Sequence, residues 1–349
     1  MSSLRPVSGT PGEILALLRE WDAAADPEPL VIATSGSTGR PKQVVLSRAA
    51  MRASALATQE RLGGAGQWVL NLPPTYVAGV QVLYRSVVAG TEPVLFDGSF
   101  ESTTNAMSGR GYVSLVPTQL IRLLRDSRDT RDRRNGSHGS QGELDALAEL
   151  DAVLVGGGPL DPAVRTEAEQ QGIRVVQTYG MSETCGGCVY DGRPLDGVEV
   201  RIEEGQVLLR GPMLFDGYLG EPARTQRALD DGWFHTDDLG EIADDGRLRV
   251  LGRGDDVIIS GGVKVPAPAV AAAISADPAV RAVEVLGVPD EEWGERVVAF
   301  VTPNHPLTLA GLRDLVEPRA WAPHQLVLVE EIPLLTNGKP DRVRLRELA

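Results

Sequence analysis

Cysteine is nearly absent from this 349-residue chain: it occurs only as Cys185 and Cys188, in TCGGCVY. The C-x-x-C spacing is shared by redox and zinc motifs. Zinc needs two further ligands, and the four histidines, His138, His235, His305 and His324, stand singly and far apart in sequence. A redox pair should open a helix after a strand, and neither pattern surrounds this one. Two small residues lining a glycine turn is the plainer reading. Long apolar runs are missing too. No stretch reaches the 18 or so residues that a membrane-crossing helix needs, and the opening MSSLRPVSGTPGEILALLREW lacks the apolar centre of a secretory leader. The expectation is a cytoplasmic protein with no integral membrane segment. Positive charge is scarce relative to negative: 34 Lys and Arg against 48 Asp and Glu leave a net charge of -14. Such a chain repels polyanions at long range, which argues against nucleic acid or an anionic membrane as a principal partner. A small anion would have to be held by local groups. Homo-oligomerisation is left open by the sequence.

At a typical 100 to 200 residues per domain, the length suggests about two domains. Short Val/Ile/Leu runs at 31–33, 68–72, 92–96, 112–116, 152–155 and 174–179 alternate with helical patterns, which predicts α/β layering. After about Asp191 the spacing changes: VEVRI, QVLLRG and GRLRVLGR follow one another through Gly and Asp turns, as in an antiparallel subdomain. The polar, Gly/Ser-dotted piece 126–143 reads as a solvated loop. Charge and glycine interrupt the pattern at 251–262. Beyond it, further strand and helix patterns and the turn LLTNGKPDR predict a small C-terminal domain. The predicted fold is therefore α/β: a large N-terminal α/β domain with layered sheets and an antiparallel subdomain over 1–251, and a small, mobile α+β domain over 252–349.

The densest chemistry lies in VIATSGSTGRPKQVVLS, at 31–47. Glycine lets backbone N–H groups turn inward, hydroxyls add donors, and Lys42 is a compact cation, which together are the parts of a phosphate cradle. It is not a Walker A loop, which would require Gly at the position of Pro41 and Ser or Thr at that of Gln43. Alone, such a loop is more often a Ser/Gly surface turn; five further segments in fixed order weigh against that.

Taken together, these segments resemble the adenylate-forming family of acyl-CoA synthetases, adenylation domains and luciferases. TSGSTGRPK is similar to the family's phosphate loop, apart from Gln43 where glycine is usual. GGGPL at 156–160 and YGMSET at 179–184 resemble its adenine and magnesium segments, and WFHTDDLG at 233–240 its ribose segment. GRGDDVIISGG at 252–262 resembles its interdomain hinge, and PLLTNGKPDR at 333–342 its catalytic-lysine loop. The resemblance spans nearly the whole chain, which lacks much of the N-terminal portion of larger members. It implies a carboxylate attacking the α-phosphate of ATP to give an acyl-adenylate and pyrophosphate, after which a thiol displaces AMP. The nucleophile is already an anion, so neutralised charge and positioning matter more than a general base.

Carried over by resemblance, Thr34, Ser35, Gly36, Ser37, Thr38, Gly39 and Lys42 would wrap the phosphates. Tyr179 would stack on adenine, with Gly156, Gly157, Gly158 and Gly180 beside it. Ser182 would donate to the α-phosphate and Glu183 would hold magnesium. Asp238 would take the ribose hydroxyls with Arg253 nearby, although Asp237 stands where the family usually has glycine. Lys339 would neutralise charge as the phosphoryl bond forms. Asp255 would be the hinge between the two half-reactions, and Ser260, Gly261 and Gly262 would line a passage for the pantetheine of coenzyme A. The segments at 71–90 and 114–124 look like those of 2-succinylbenzoate–CoA ligases of menaquinone biosynthesis, particularly short actinobacterial ones. They would set Arg85, Ser114 and Tyr76 around the acid, with Tyr76 replacing a histidine common among relatives. The substrates so implied are ATP with Mg2+, a carboxylic acid and CoA. Three alternatives remain at this stage: a CoA ligase for another aryl or fatty acid, an adenylating enzyme loading a carrier protein, and a nucleotide-binding regulator without turnover.

Overall fold

The computed structural model describes residues 2–34, 42–132, 139–333 and 340–349, with backbone alone at 129–132, 139–140 and 255. It resolves into two compact units. The first comprises Met1–Arg201, Leu208–His235 and Asp244–Leu248; the second comprises Ile202–Val207, Thr236–Ala243 and Arg249–Ala349.

The first unit is built on a seven-stranded sheet whose spatial order is Arg193–Pro194, Gly186–Tyr190, Val175–Met181, Ala152–Val155, Gly111–Leu115, Gln67–Leu70 and Val94–Leu95. From Val175–Met181 to Val94–Leu95 neighbouring strands run parallel, and Gly186–Tyr190 adds antiparallel. The apolar runs form the inner strands Gln67–Leu70, Gly111–Leu115 and Ala152–Val155 because each is covered on both faces, the arrangement parallel strands demand. Val69, Val113, Leu115, Val153 and Val155 meet Leu120, Leu124, Leu144 and Leu147 of the helices Pro117–Asp132 and Gly139–Glu149. Trp68 and Tyr112 alternate with them and so face the other way. On that side lie the helices Arg48–Arg61 and Val77–Ala89. Thr10 closes a capping box with Glu13 at the start of Pro11–Ala23, and Ser47 caps Arg48–Arg61. A separate three-stranded sheet joins Leu30–Thr34, Lys42–Leu46 and Gly217–Tyr218.

The strands Glu199–Glu203 and Gln206–Arg210 form a tight hairpin. Its two linking residues, Glu204 and Gly205, have φ of 49° and 85°; positive φ at both positions is the geometry that matches the twist of the flanking strands. In the second unit, Val280–Asp290 pairs antiparallel with Gly294–Pro303, which Gln325–Leu328 joins in parallel. Val285, Val297, Ala299 and Val301 pack with Val270 and Ile274 of the helix Ala267–Ser275.

The predicted loop over 126–143 is corrected at both ends. Residues up to Asp132 continue the helix Pro117–Asp132, and Gly139 already starts the next. Ser127 sits on the buried face, its hydroxyl donating to Gln141 Oε1 at 3.2 Å. Polar and Gly/Ser composition misled because Arg, Gln and Glu are good helix formers when one face of the helix is covered. Among the described residues, no helix is long and apolar enough to cross a membrane.

Candidate active site

In open parallel sheets, ligands gather beyond the carboxyl ends of the strands, and there the first unit collects its glycines. Gly156 follows Ala152–Val155 and donates its N–H to Leu115 O at 3.1 Å. A Cβ on Gly156 would overlap Thr178 Oγ1, so the chain can pass here only as glycine. Gly157 takes φ 79°, and Gly158 completes the turn. Tyr179 and Gly180 end the adjacent strand Val175–Met181. A Cβ on Gly180 would overlap the carbonyl of Gly186 on the paired strand. Close backbone pairing, rather than a ligand, is what excludes a side chain there.

Ser182 and Glu183 follow in a short 3-10 turn, Ser182–Thr184, and both are buried. Thr184 Oγ1 accepts from Met181 N at 2.9 Å and lies 2.7 Å from Gly186 O, which fixes the turn. The Glu183 carboxylate accepts from the Tyr218 hydroxyl at 2.8 Å, and its own carbonyl accepts from Phe215 N at 2.9 Å. Lys42 Nζ lies 5.8 Å from the centre of the Tyr218 ring. Tyr218 thus stands between the cation of one predicted segment and the carboxylate of another; the sequence carried no signal for it beyond an aromatic among glycines in FDGYLG. A buried carboxylate with one hydroxyl donor retains further oxygen lone pairs, and one carboxylate plus substrate phosphates is a usual magnesium environment. Thr34 and Lys42 pair where the strands Leu30–Thr34 and Lys42–Leu46 meet, on either side of the predicted phosphate-loop residues. The loop residues Ser35, Gly36, Ser37, Thr38 and Gly39 lie outside the described residues, as does Lys339.

Cys185 and Cys188 are free thiols, fully buried, and Cys185 adopts φ 52° at the end of the 3-10 turn. Burial pushes both thiols up, that of Cys188 to about 12. They are packing residues in thiol form, without the thiolate that redox or metal chemistry requires.

On the sheet face covered by Val77–Ala89, the guanidinium of Arg85 is buried, at 6 % exposure. It lies 4.7 Å from the centre of the Trp68 ring and donates to the Tyr190 hydroxyl at 3.4 Å. Among the described residues, its Nε has no hydrogen-bond partner and no carboxylate forms a salt bridge with it. A small pocket opens beside it, lined by Ala55, Gln59, Gly64, Trp68 and Tyr112. Ser114 lies two positions beyond Tyr112 on one strand and so shares its face, nearer the carboxyl end. Tyr76 is half exposed and precedes the helix as its N-cap, its N–H donating to Pro73 O at 3.3 Å.

The remaining predicted residues belong to the second unit. Asp238 is buried, its N–H donating to Thr236 Oγ1 at 3.0 Å, while Thr236 Oγ1 lies 2.7 Å from Val207 O. Arg253 pairs with Asp237 at 3.0 Å, so the acid that stands in place of the family's glycine has a cation of its own. Asp255 falls in the 3-10 turn Gly254–Asp256. Ser260 ends one strand, Gly261 and Gly262 turn the chain with φ of 56° and 79°, and Val263 begins the next. A Cβ on Gly261 would come within 2.9 Å of the Trp293 ring, so only glycine fits there.

Residues 19–219 match the family model described as AMP-binding enzyme, and residues 269–339 match the AMP-binding enzyme C-terminal domain. A probable 2-succinylbenzoate–CoA ligase of Mycobacterium tuberculosis is 44 % identical over 95 % of this chain and 87 % of its own. A 2-succinylbenzoate–CoA ligase of Listeria monocytogenes is 33 % identical over 99 % of this chain and 75 % of its own. Among solved structures, the o-succinylbenzoate CoA synthetase of Bacillus subtilis in complex with the acyl-adenylate intermediate superposes with a TM-score of 0.73 at 26 % identity, covering 90 % of this chain and 68 % of that one. The same enzyme in complex with ATP and magnesium gives 0.72 at 27 %, covering 90 % and 69 %.

Proposed function

We propose, from the premise that this chain belongs to the family of AMP-binding enzymes, that it is an ATP-dependent acid–thiol ligase. It converts 2-succinylbenzoate to 2-succinylbenzoyl-CoA through an acyl-adenylate, releasing pyrophosphate and then AMP, a step of menaquinone biosynthesis in the cytoplasm. The observation that carries the choice of acid is Arg85: a buried guanidinium, stacked on Trp68, whose Nε has no hydrogen-bond partner among the described residues. Leaving a buried cation without a counter-charge is costly. An acid with a second carboxylate repairs it, and a planar guanidinium is the natural fork for that group. 2-Succinylbenzoate supplies such a second carboxylate, and simple aryl monoacids do not.

At the other end of the acid, its free carboxylate attacks the α-phosphorus and pyrophosphate leaves. We assign the departing phosphates to Lys42, to the hydroxyls of Thr34, Ser35, Ser37 and Thr38, and to the backbone N–H groups of Gly36 and Gly39. Ser182 donates to the α-phosphate, and Tyr179 packs on adenine against the turn at Gly157, Gly158 and Gly180. Glu183, kept in place by Tyr218, would hold magnesium, which when bound neutralises charge on the phosphate oxygens. Asp238 accepts from the ribose, Arg253 being engaged by Asp237. Lys339 supplies positive charge to the adenylation transition state. In the second half-reaction the thiol of CoA passes Ser260, Gly261 and Gly262, with Asp255 as hinge. We place the boundary between the large and small domains near residue 251, a reading supported by the separate family match over 269–339.

Pyrophosphate release measured over a panel of mono- and dicarboxylic acids, with and without CoA, tests this. Release that requires 2-succinylbenzoate, with thioester formed only when CoA is added, is the expected result. A preference for a monocarboxylic acid would overturn the choice of substrate. Transfer to a carrier protein with CoA refused would overturn the choice of thiol, and release with no acid would overturn the ligase reading.

A further inference from the structure

One turn before Arg85 on the helix Val77–Ala89 lies Gln81, which is 1 % exposed. Its Nε2 reaches only Met51 Sδ, at 3.5 Å, and its Oε1 has no hydrogen-bond partner among the described residues. Buried carboxamides are ordinarily satisfied, and one left with a single thioether contact is expensive to keep. Two neighbouring hydroxyls of this interface are used. Ser54 Oγ donates to Cys185 O at 3.1 Å, and Thr58 Oγ1 meets the Tyr190 hydroxyl at 3.0 Å. Gly186 approaches closely: a Cβ built on it would lie 3.5 Å from Gln81 Cγ. Residues four apart share a helix face and lie about 6 Å apart along the axis. One face of this helix therefore presents two buried groups with unspent hydrogen-bonding capacity on consecutive turns: the Gln81 carboxamide and the Arg85 guanidinium.

We propose that Gln81 is a specificity-determining residue, which hydrogen-bonds a polar group of the acid lying between its activated carboxylate and the carboxylate paired by Arg85. The ligand class is a dicarboxylic acid with a hydrogen-bond acceptor ahead of its distal carboxylate. The inference rests on the ligase reading above, where that acceptor is the ketone of 2-succinylbenzoate. A ketone accepts only, so Gln81 must donate. A thioether is a weak acceptor, so the carboxamide turns over about its last torsion at little loss and points its N–H groups at the substrate.

The test compares kcat/KM for 2-succinylbenzoate and for its analogue with a methylene in place of the ketone, in the wild type, Gln81→Leu and Gln81→Met. A neutral hydrogen bond corresponds to about a 2- to 13-fold preference for the ketone acid. Both variants should lose that factor on the ketone acid and keep their rate on the methylene acid, so that the ratio of the two acids falls towards one. The Met variant retains the length of the side chain, so a loss confined to Gln81→Leu would assign the residue to packing and overturn the proposal. Arg85→Ala should lower both acids together, because both carry the distal carboxylate. Turnover with an unchanged ratio in the Gln81 variants overturns the role of Gln81 alone. Absence of turnover with either acid in the wild type overturns the ligase reading, and Gln81 with it.

Discussion

Replacing Arg85 by alanine separates recognition of the acid from the chemistry done on it. If the guanidinium meets the distal carboxylate, its loss removes a charge-assisted hydrogen bond of about 1.5–3 kcal/mol, or about 10- to 150-fold in kcat/KM for the dicarboxylic acid. A monocarboxylic analogue should lose far less, and KM for ATP should not move. Equal losses for the two acids would mean that Arg85 acts through its packing on Trp68. The cysteines make a second prediction at this scale. Unfolded thiols titrate near 8.5, whereas burial keeps both native thiols protonated well above that. Above about pH 8.5 the unfolded chain therefore binds fewer protons than the native one, and stability falls as pH rises, by up to about 1.4 kcal/mol per pH unit per thiol. Below that pH the two thiols contribute no slope. Denaturant midpoints followed from pH 7 to 10 should show the decline, and Cys185→Ala with Cys188→Ala should flatten it. An identical alkaline slope in the double variant would refute the assignment.

At the scale of elements, the pairing of Val175–Met181 with Gly186–Tyr190 leaves no room for a side chain at Gly180. Gly180→Ala should destabilise by about 1–3 kcal/mol through forced displacement of the paired backbone, and pyrophosphate release should fall with it. Gly262→Ala is a contrast, since a Cβ there meets nothing. Its cost is the left-handed conformation alone, about 1–2 kcal/mol. Denaturation midpoints and activity of both variants check this; full activity in Gly180→Ala would show that the strand pair tolerates spreading. The alternation of apolar runs made the parallel strands legible, because burial on both faces leaves a continuous apolar signature. The helical ends of 126–143 were not legible. A helix carried on one covered face, with Arg, Asp and Ser elsewhere, looks compositionally like a loop. The flanks of Glu183 single it out in the sequence, but its hydrogen-bond partner Tyr218 lies 35 residues away and is brought in by strand pairing with Lys42–Leu46. Gln81 gave no warning, since a single glutamine among Val and Leu carries no period of its own.

Across the whole molecule, the net charge of -14 opposes the approach of ATP, a dicarboxylate and CoA. Catalysis must therefore rest on a few cations placed where negative charge develops. Each should be specific to one step, and Lys339 offers the sharpest case. In adenylation, a carboxylate and a phosphate oxygen are brought together, and charge shifts towards pyrophosphate; a positioned ammonium stabilises that arrangement more than the separated reactants. In thioester formation the bond broken joins the acyl group to a phosphate already reduced to a single negative charge, so an ammonium set for the first transition state gains little in the second. Lys339→Ala should accordingly slow acid-dependent pyrophosphate release by about 10²- to 10³-fold, the usual cost of one such electrostatic group. It should leave thioester formation from supplied acyl-adenylate and CoA near the wild-type rate. Lys339→Arg keeps the charge but replaces a compact ammonium with a planar fork, and should recover only part of the loss. Equal impairment of both half-reactions in Lys339→Ala would move this lysine from the chemistry of adenylation to the integrity of the second unit.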